Sequence, residues 1–229
     1  MGDTVKPLST DVVAIGASAG GLDAIHDIFD RVPSDIDVAY VLIQHLSSDY
    51  KSLLVEHVSK HTHMKVVEAT EGKLIEPAFV YVIPNDKLIS IKNGRLHLEK
   101  KGEKVPNNAI DNFFLSLAKD KKERAIAIVL SGTGHDGTKG IEAIKEQGGL
   151  VIAQQPDTAK FDSMPVNAIA SGAVDFVVPT SEMYDKITAH INSAPIREVE
   201  NGGIDETSLD KIFDLIYERT GHDFSLYKT

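Results

Sequence analysis

The chain has 229 residues, of which 42% are hydrophobic and 25% charged, enough for one large domain with a core and an appendage. Its formal net charge of −10 argues against a nucleic-acid backbone or an anionic membrane as the main partner, because both favour clustered Lys and Arg. There is no cysteine, so disulfides, thiolate metal sites and a cysteine nucleophile are excluded.

The first half of the chain alternates short apolar runs with helix-period segments, which is typical of a parallel sheet covered by helices. Strands are predicted at residues 12–15, 38–43 and 66–67. A helix should follow each of the first two strands. The inward residues of the first helix are predicted to be Leu22, Ile25, Ile28 and Phe29. Those of the second are predicted to be Leu53, Leu54 and Val58, with Ser48 or Asp49 as its N-cap.

The pattern changes over residues 79–98. Three short apolar runs, at 79–83, 88–91 and 96–98, are joined by turn residues. The pair Asn93-Gly94 is a strong signal for a type I′ hairpin turn. We predict that all three runs form an antiparallel insertion beside the main sheet.

Parallel units resume after the insertion. Asn108 is the expected N-cap of a helix, residues 125–130 form a buried strand, and residues 131–137 form a glycine-rich loop. The next helix should end before Gly148, as a C-terminal glycine cap requires. Strands at 150–153 and 174–178, a helix opened by Pro165 and a last helix near Ser181 complete a doubly wound, mainly parallel α/β sheet with a hairpin insertion.

The sequence divides into four parts. Residues 1–10 form a tail and residues 11–192 the main domain, whereas residues 193–205 lack periodicity and are a predicted linker. Residues 206–229 contain an amphipathic helix whose apolar face comprises Leu209, Ile212, Phe213, Ile216 and Tyr217. There is no signal-peptide core and no apolar run that could span a bilayer, so we expect a cytoplasmic protein without membrane insertion.

Three polar residues follow predicted parallel strands at their carboxyl ends. They are Ser18, His45 and Asp136. Loops from neighbouring strands converge at this edge of an open α/β sheet, so residues remote in sequence can meet there. A serine needs a base to become a nucleophile, imidazole can serve as that base, and a carboxylate can orient the imidazole. The three residues therefore suggest nucleophilic catalysis.

The turn Gly16-Ala17-Ser18-Ala19-Gly20-Gly21 matches the nucleophile-elbow pattern G-x-S-x-G. The N–H groups at the start of the helix behind it can stabilise an oxyanion. However, the order Ser…His…Asp and a nucleophile after the first strand differ from the α/β-hydrolases proper, which run Ser…Asp/Glu…His.

Taken together, these segments resemble the catalytic domain of the chemotaxis-type protein-glutamate methylesterases (CheB). The resemblance covers roughly residues 12–180. It rests on the elbow turn, Ile43-Gln44-His45, Tyr81-Val82-Ile83-Pro84-Asn85-Asp86, Gly132-Thr133-Gly134-His135-Asp136-Gly137, Ala153-Gln154 and Ser163-Met164-Pro165. It implies Ser18 as nucleophile, His45 as general base and acid, and Asp136 as the residue that orients His45.

The resemblance also implies the rest of the reaction. The substrates would be glutamyl methyl esters on methyl-accepting chemotaxis-type receptors, with glutamine deamidation as related chemistry and no cofactor or metal. The oxyanion pocket and rim would comprise Ala19, Gly20, Thr133, Gly134 and Met164. Backbone N–H groups near Ser18 and in the Gly132–Gly134 loop would hold the oxyanion. Two features depart from the family: Thr133 stands where members usually have Met, and residues 105–111 replace a segment that often carries arginines.

Residues 212–225 resemble the start of the opposing receptor methyltransferase (CheR). We therefore expect a methylesterase–methyltransferase fusion. Family members typically carry a receiver domain before the catalytic domain, and the ten residues before the first strand are too few for one.

Other interpretations remain open. His135 could be the base in place of His45. Asp136 could have only a structural role, because Asp-Gly is a common turn pair. His57, His61 and His63 could bind a metal or could lie at a solvated helix end. The glycine-rich first turn could bind a nucleotide, although Ser18 replaces the second glycine of G-x-G-x-x-G. Finally, the domain could have lost turnover and serve as a regulatory or docking module.

Overall fold

The computed structural model describes residues 10–44, 53–84, 87–100 and 108–193. Its strands are β1 (Asp11–Ala17), β2 (Val38–Gln44), β3 (Lys65–Glu68), β4 (Phe79–Val82), β5 (Lys87–Lys92), β6 (Arg95–Lys100), β7 (Ala125–Val129), β8 (Leu150–Gln154) and β9 (Phe176–Val178). Its helices are α1 (Gly21–Phe29), α2 (Leu54–Ser59), α3 (Ala109–Lys121), α4 (Thr138–Glu146), α5 (Ser163–Ala170) and α6 (Thr180–Ser193). Short 3-10 turns occupy Lys122–Arg124 and Pro156–Thr158.

Seven of the strands form one parallel sheet in the order β3-β4-β2-β1-β7-β8-β9, and β5 and β6 form a separate antiparallel pair. The predicted fold class, a doubly wound parallel sheet with an antiparallel hairpin, is confirmed. In the described part of the chain, no helix has both the length and the apolar character needed to cross a membrane.

The sheet has a separate hydrophobic core on each face. Along β1, Val12 and Ala14 face one core, whereas Val13 and Ile15 face the other, as the two-residue period of a strand requires. Helices α3, α4 and α5 cover the first face and α1, α2 and α6 the second. Because both faces are buried, the central strands are continuous apolar runs, not alternating ones.

The prediction for residues 79–83 was wrong in its pairing. β4 is not part of the antiparallel insertion; it lies between β3 and β2 in the main sheet and runs parallel to both. The hairpin itself is confirmed: Asn93 and Gly94, with φ angles of 52° and 70°, join β5 to β6 as a type I′ turn requires.

A polar stripe on α3 holds the hairpin. The Nδ2 of Asn112 donates to the carbonyl of Ile89 at 2.7 Å, and the Oγ of Ser116 accepts the N–H of Ile91 at 3.0 Å. One turn further on, Oδ2 of Asp120 accepts the N–H of Gly94 at 3.0 Å. These side chains follow one another at four-residue spacing, so one flank of the helix contacts the backbone along β5 and its turn.

One local prediction around α2 is wrong, and the predictions for the tail are not tested. Leu54 and Val58 are buried as expected, but Leu53 is 50% exposed, because it precedes the helix. The proposed caps Ser48 and Asp49, the linker and the amphipathic helix at 206–229 lie outside the described residues, so those predictions stand untested.

Candidate active site

The site lies at the carboxyl edge of the sheet, between β1 and β7. The connection after β1 leads to α1 on one face, and the connection after β7 leads to α4 on the opposite face. Such a reversal leaves a crevice between neighbouring strands, which is where open α/β sheets bind ligands. The loops that carry Ser18 and Asp136 leave the sheet on either side of this crevice.

Ser18 stands in a sharp strand-to-helix turn. Its N–H donates to the carbonyl of Ser131 at 3.0 Å, and its own carbonyl accepts the N–H of Gly21 at 3.1 Å. Gly20, at the N-cap of α1, has a φ of +69°, a left-handed conformation that favours glycine. The turn therefore has the geometry expected of a nucleophile elbow, and Ser18 is half-buried at its apex.

A buried hydrogen-bond network fixes this turn. The Ser131 hydroxyl donates to the carbonyl of Ala19 at 2.9 Å and accepts the N–H of Phe161 at 3.0 Å. The N–H of Ser131 donates to Oε1 of Gln154 at 2.9 Å. Ser131 and Gln154 are almost fully buried, so these bonds satisfy polar groups that would otherwise cost stability. Neither residue was assigned a role from the sequence, although both are polar residues near the ends of buried strands.

Gly132 and Met164 form the wall beside Ser18. A Cβ built on Gly132 would lie 2.8 Å from Cβ of Ser18 and would also collide with Sδ of Met164, so only glycine fits. The N–H of Met164 donates to the carbonyl of Gly132 at 3.1 Å. Met164, predicted to lie at the rim, is 1% exposed and packs beneath the loop.

Asp136 is buried at the N-terminus of α3. Its two carboxylate oxygens accept the N–H groups of Ile110, at 3.0 Å, and Asp111, at 2.9 Å. The expected cap, Asn108, makes no side-chain capping hydrogen bond, because the carboxylate of Asp136 already binds these first-turn donors. Asp136 is therefore held by two backbone donors, and the helix dipole favours its negative charge.

Asp111 completes a reciprocal arrangement. Its Oδ1 accepts the N–H of Gly140 in the first turn of α4 at 2.9 Å. Burial raises the pKa of the Asp111 carboxyl, the Gly140 hydrogen bond opposes that rise, and the neighbouring Asp136 adds to it. Each of two aspartates thus caps a helix, which fixes the loop that carries Asp136 from both sides.

The remaining predicted site residues lie at or near this crevice. Ala19 and Gly20 are partly exposed, and Thr133, Gly134 and the rival base His135 are exposed. The N–H of Gly132 is not free to bind an oxyanion, because it donates to the carbonyl of Phe161 at 2.9 Å. Nδ2 of Asn167 donates to the carbonyl of Gly134 at 2.8 Å and holds the outer part of the loop.

His45 lies outside the described residues. Its predecessor Gln44 is the last residue of β2 and pairs with Ala17, which immediately precedes Ser18. The end of β2 therefore lies next to the strand that carries the serine, as the sequence analysis expected.

Residues 13–187 match the family model described as CheB methylesterase. The chain belongs to the CheB methylesterase family. The crystal structure of the Thermotoga maritima CheB methylesterase catalytic domain superposes on 80% of this chain and 99% of that domain, with a TM-score of 0.73 and 30% sequence identity. The predicted resemblance is confirmed at the level of the catalytic domain.

Curated relatives of the chain are named protein-glutamate methylesterase/protein-glutamine glutaminase. A protein of this name from Shewanella oneidensis is 34% identical over 193 residues, which cover 82% of this chain and 55% of the relative. The Thermotoga maritima protein is 31% identical over 189 residues, covering 80% of this chain and 55% of the relative. The chain thus spans about half the length of the relatives that it matches.

One departure from the CheB pattern is now placed in the structure. Thr133 is exposed at the tip of the loop between β7 and Asp136, so the change from Met alters a solvent-facing position, not the core. In the altered segment at 105–111, residues 105–107 lie outside the described part of the chain. Residues 109–111 form the start of α3.

Two of the histidines considered for metal binding, His57 and His61, lie close to His26, a neighbour that the sequence did not suggest. The ring of His61 stacks on His26 of α1 at a centroid distance of 3.9 Å, and His57 lies 6.2 Å from His26. Nδ1 of His61 lies 2.9 Å from Oδ1 of Asp30, whereas His63 is exposed. Within the described ranges, no group of three or more His, Asp or Glu residues has a metal-binding arrangement.

This cluster should make stability depend on pH. Burial lowers the pKa of His26 below 6.5, His61 and His57 lower it further, and Asp23 and Asp30 only partly oppose the shift. The unfolded chain therefore takes up a proton before the folded one. We expect the free energy of unfolding to be highest above about pH 6.5, where His26 is neutral in both states. It should fall as the pH drops from 6.5 towards the lowered pKa of His26 in the folded protein, and it should level off below that pKa.

Urea denaturation at pH 7.5 and pH 5.5 measures the effect. His26→Gln should reduce the difference in unfolding free energy between the two pH values, whereas His63→Gln, at an exposed histidine nearby, should leave it unchanged. An unaltered pH dependence in His26→Gln would show that other groups cause it.

Proposed function

We propose that this chain is a serine esterase that hydrolyses glutamyl methyl esters on methyl-accepting chemotaxis-type receptors. Ser18 is the nucleophile, His45 the general base and acid, and Asp136 the residue that orients His45. The observation that carries the proposal is the position of Ser18, on a rigid strand-to-helix elbow at the crevice of a CheB-family domain. Asp136 lies in the loop on the other side of that crevice.

The reaction follows from these roles. His45 removes the proton of the Ser18 hydroxyl, whose oxygen attacks the ester carbonyl and forms a tetrahedral oxyanion. The C–O bond to the methoxy group breaks, and methanol leaves with the proton from His45. Water, deprotonated by His45, then attacks the acyl-enzyme and releases the glutamate carboxylate and the free serine.

The oxyanion needs N–H donors that are not already engaged. In the described part of the chain, the N–H groups of Ala19 and Gly20 at the start of α1 have no hydrogen-bond acceptor. They are also where the positive end of the helix dipole lies. We assign these two groups, with the exposed loop of Thr133 and Gly134 opposite, to the oxyanion pocket.

The same machinery suits deamidation. Attack on a glutamine amide would give the same acyl-enzyme with ammonia as leaving group, and the names of the relatives include protein-glutamine glutaminase. We propose this as a second activity of the same site.

The wider setting is also a proposal. Residues 11–192 would form the esterase domain, residues 193–205 a linker, and residues 206–229 the start of a fused methyltransferase-like domain. The resemblance of residues 212–225 to the CheR sequence supports the fusion. The protein would act in the cytoplasm as part of the same proposal.

Methanol release from a methylated receptor fragment tests the proposal. We expect wild-type protein to release methanol, and a fluorophosphonate probe to label it at the peptide that contains Ser18, as mass spectrometry would show. The unmethylated fragment is the control for the methanol signal. A folded wild-type protein that neither releases methanol nor reacts with the probe would instead be a docking domain without turnover.

A further inference from the structure

Phe161 is an exposed aromatic residue on a fixed backbone. Its N–H donates to the Ser131 hydroxyl at 3.0 Å, and its carbonyl accepts the N–H of Gly132 at 2.9 Å. Both partners belong to the buried loop after β7. Nevertheless, 42% of the residue's surface remains exposed to solvent.

The ring stands next to the nucleophile turn. A Cβ built on Gly20 would lie 2.8 Å from Cβ of Lys160 and 3.0 Å from Cδ2 of Phe161. The aliphatic part of Lys160 and the ring of Phe161 therefore both pack against the backbone two residues after Ser18. The backbone carbonyl of Phe161 also accepts the hydrogen bond from the N–H of Gly132, and the Cα of Gly132 faces Ser18. Phe161 thus contacts Gly20 through its ring and Gly132, which lies beside Ser18, through its backbone carbonyl.

The surroundings are otherwise polar. A cavity on the α1 side of Gly20 is lined by Asp23, Asp27, Lys160 and Thr180 among others. The residues that flank the ring in sequence, Lys160 and Asp162, are exposed and charged. Phe161 thus offers an apolar surface within a charged rim, next to the turn that carries the candidate nucleophile.

Exposed aromatic groups on rigid backbones are typical binding determinants. The ring loses little conformational freedom on binding, because its backbone is already held, and its apolar area is desolvated only when a partner covers it. Aromatic residues are accordingly enriched among the contacts that dominate binding energy.

We propose that Phe161 is a specificity-determining contact that docks an apolar side chain of the substrate polypeptide next to the reactive glutamyl group. The inference rests on the proposed function for the reaction that follows docking. The occupant is the receptor segment around the methylated glutamate, which would present its methyl ester and a neighbouring apolar side chain together. A small ester without flanking residues lacks this contact.

Steady-state kinetics of the full chain on two substrates test the role. With a methylated receptor fragment, Phe161→Ala should raise KM about tenfold and change kcat less than about twofold, the size expected for losing one aromatic contact. With N-acetylglutamate γ-methyl ester, kcat/KM should stay at the wild-type value. Phe161→Leu, which keeps an apolar group against Gly20, should fall between wild type and Phe161→Ala.

Phe176→Ala is the matched control. Phe176 is 39% exposed, close to the value for Phe161, but it lies on the edge strand β9. Its removal should leave KM for the receptor fragment unchanged. If Phe161→Ala lowers kcat/KM equally on both substrates, the proposal is overturned, and Phe161 serves instead to hold the Ser18 turn in place. An unchanged KM for the fragment would also overturn it.

A binding measurement separates this inference from the proposed function. Calorimetry with Ser18→Ala and with Ser18→Ala/Phe161→Ala requires no turnover, and we expect the dissociation constant of the methylated fragment to rise about tenfold in the double variant. If that rise occurs while wild type releases no methanol, the esterase proposal fails and the docking role stands. If the fragment binds equally to both variants, or to neither, the docking role is refuted.

Discussion

Ser18→Ala should abolish methanol release while leaving the fold intact. Without the hydroxyl no acyl-enzyme can form, and loss of a serine nucleophile lowers kcat by roughly 10⁴- to 10⁶-fold in enzymes of this type. The backbone hydrogen bonds of Ser18 to Ser131 and Gly21 do not involve the side chain. We therefore expect the free energy of unfolding to change by less than about 0.5 kcal/mol.

Ser181→Ala is the control, because Ser181 is an exposed serine in the first turn of α6. The kcat of the Ser181→Ala variant should equal that of the wild-type protein. Circular dichroism and a thermal melt of both variants would show whether the loss of activity is chemical. Methanol release by Ser18→Ala above about 1% of the wild-type rate would mean that another residue is the nucleophile.

Asp136→Asn should lower both activity and stability. In the proposed mechanism, an amide at this position would no longer stabilise the imidazolium or fix its tautomer, so we expect kcat to fall by roughly 10³- to 10⁴-fold. The carboxylate also accepts two backbone N–H groups of α3. An amide keeps one acceptor and turns a donor towards the second N–H, so the free energy of unfolding should fall by about 1–3 kcal/mol.

The two effects can be measured separately. Kinetics recorded well below the melting temperature report catalysis, and urea denaturation reports stability. Asp157→Asn, at an exposed aspartate of the 3-10 turn after β8, should change neither. If Asp136→Asn loses stability but keeps activity within tenfold of wild type, Asp136 is a helix cap alone, and the base requires a different partner.

Much of the fold was predictable because local patterns determine it. Buried strands, glycine caps and the Asn93-Gly94 turn depend on residues close in sequence. The pairing of residues 79–82 was not predictable in the same way. An apolar run of four residues is compatible with either strand direction, and its neighbours β2 and β3 are chosen by tertiary packing.

The site was predictable only in part for a related reason. The placement of the two loops that carry Ser18 and Asp136 at one edge of the sheet follows from the rule that parallel strands end at the same edge. The supports of the site were not foreseen, because Ser131, Gln154 and Asp136 bond to partners more than 20 residues away. A capping side chain from a distant loop, such as that of Asp136, leaves no signature beside the helix that it caps.

The stripe of Asn112, Ser116 and Asp120 has a consequence for solubility. In a two-stranded ribbon each strand has a second edge, and an uncovered edge can pair with a strand of another molecule. The stripe occupies backbone groups of β5 and of the turn that ends it. The helix whose N-terminus holds Asp136 thus also covers a strand edge that could otherwise pair with another molecule, so the protection of that edge and the placement of the candidate orienting carboxylate depend on the same helix.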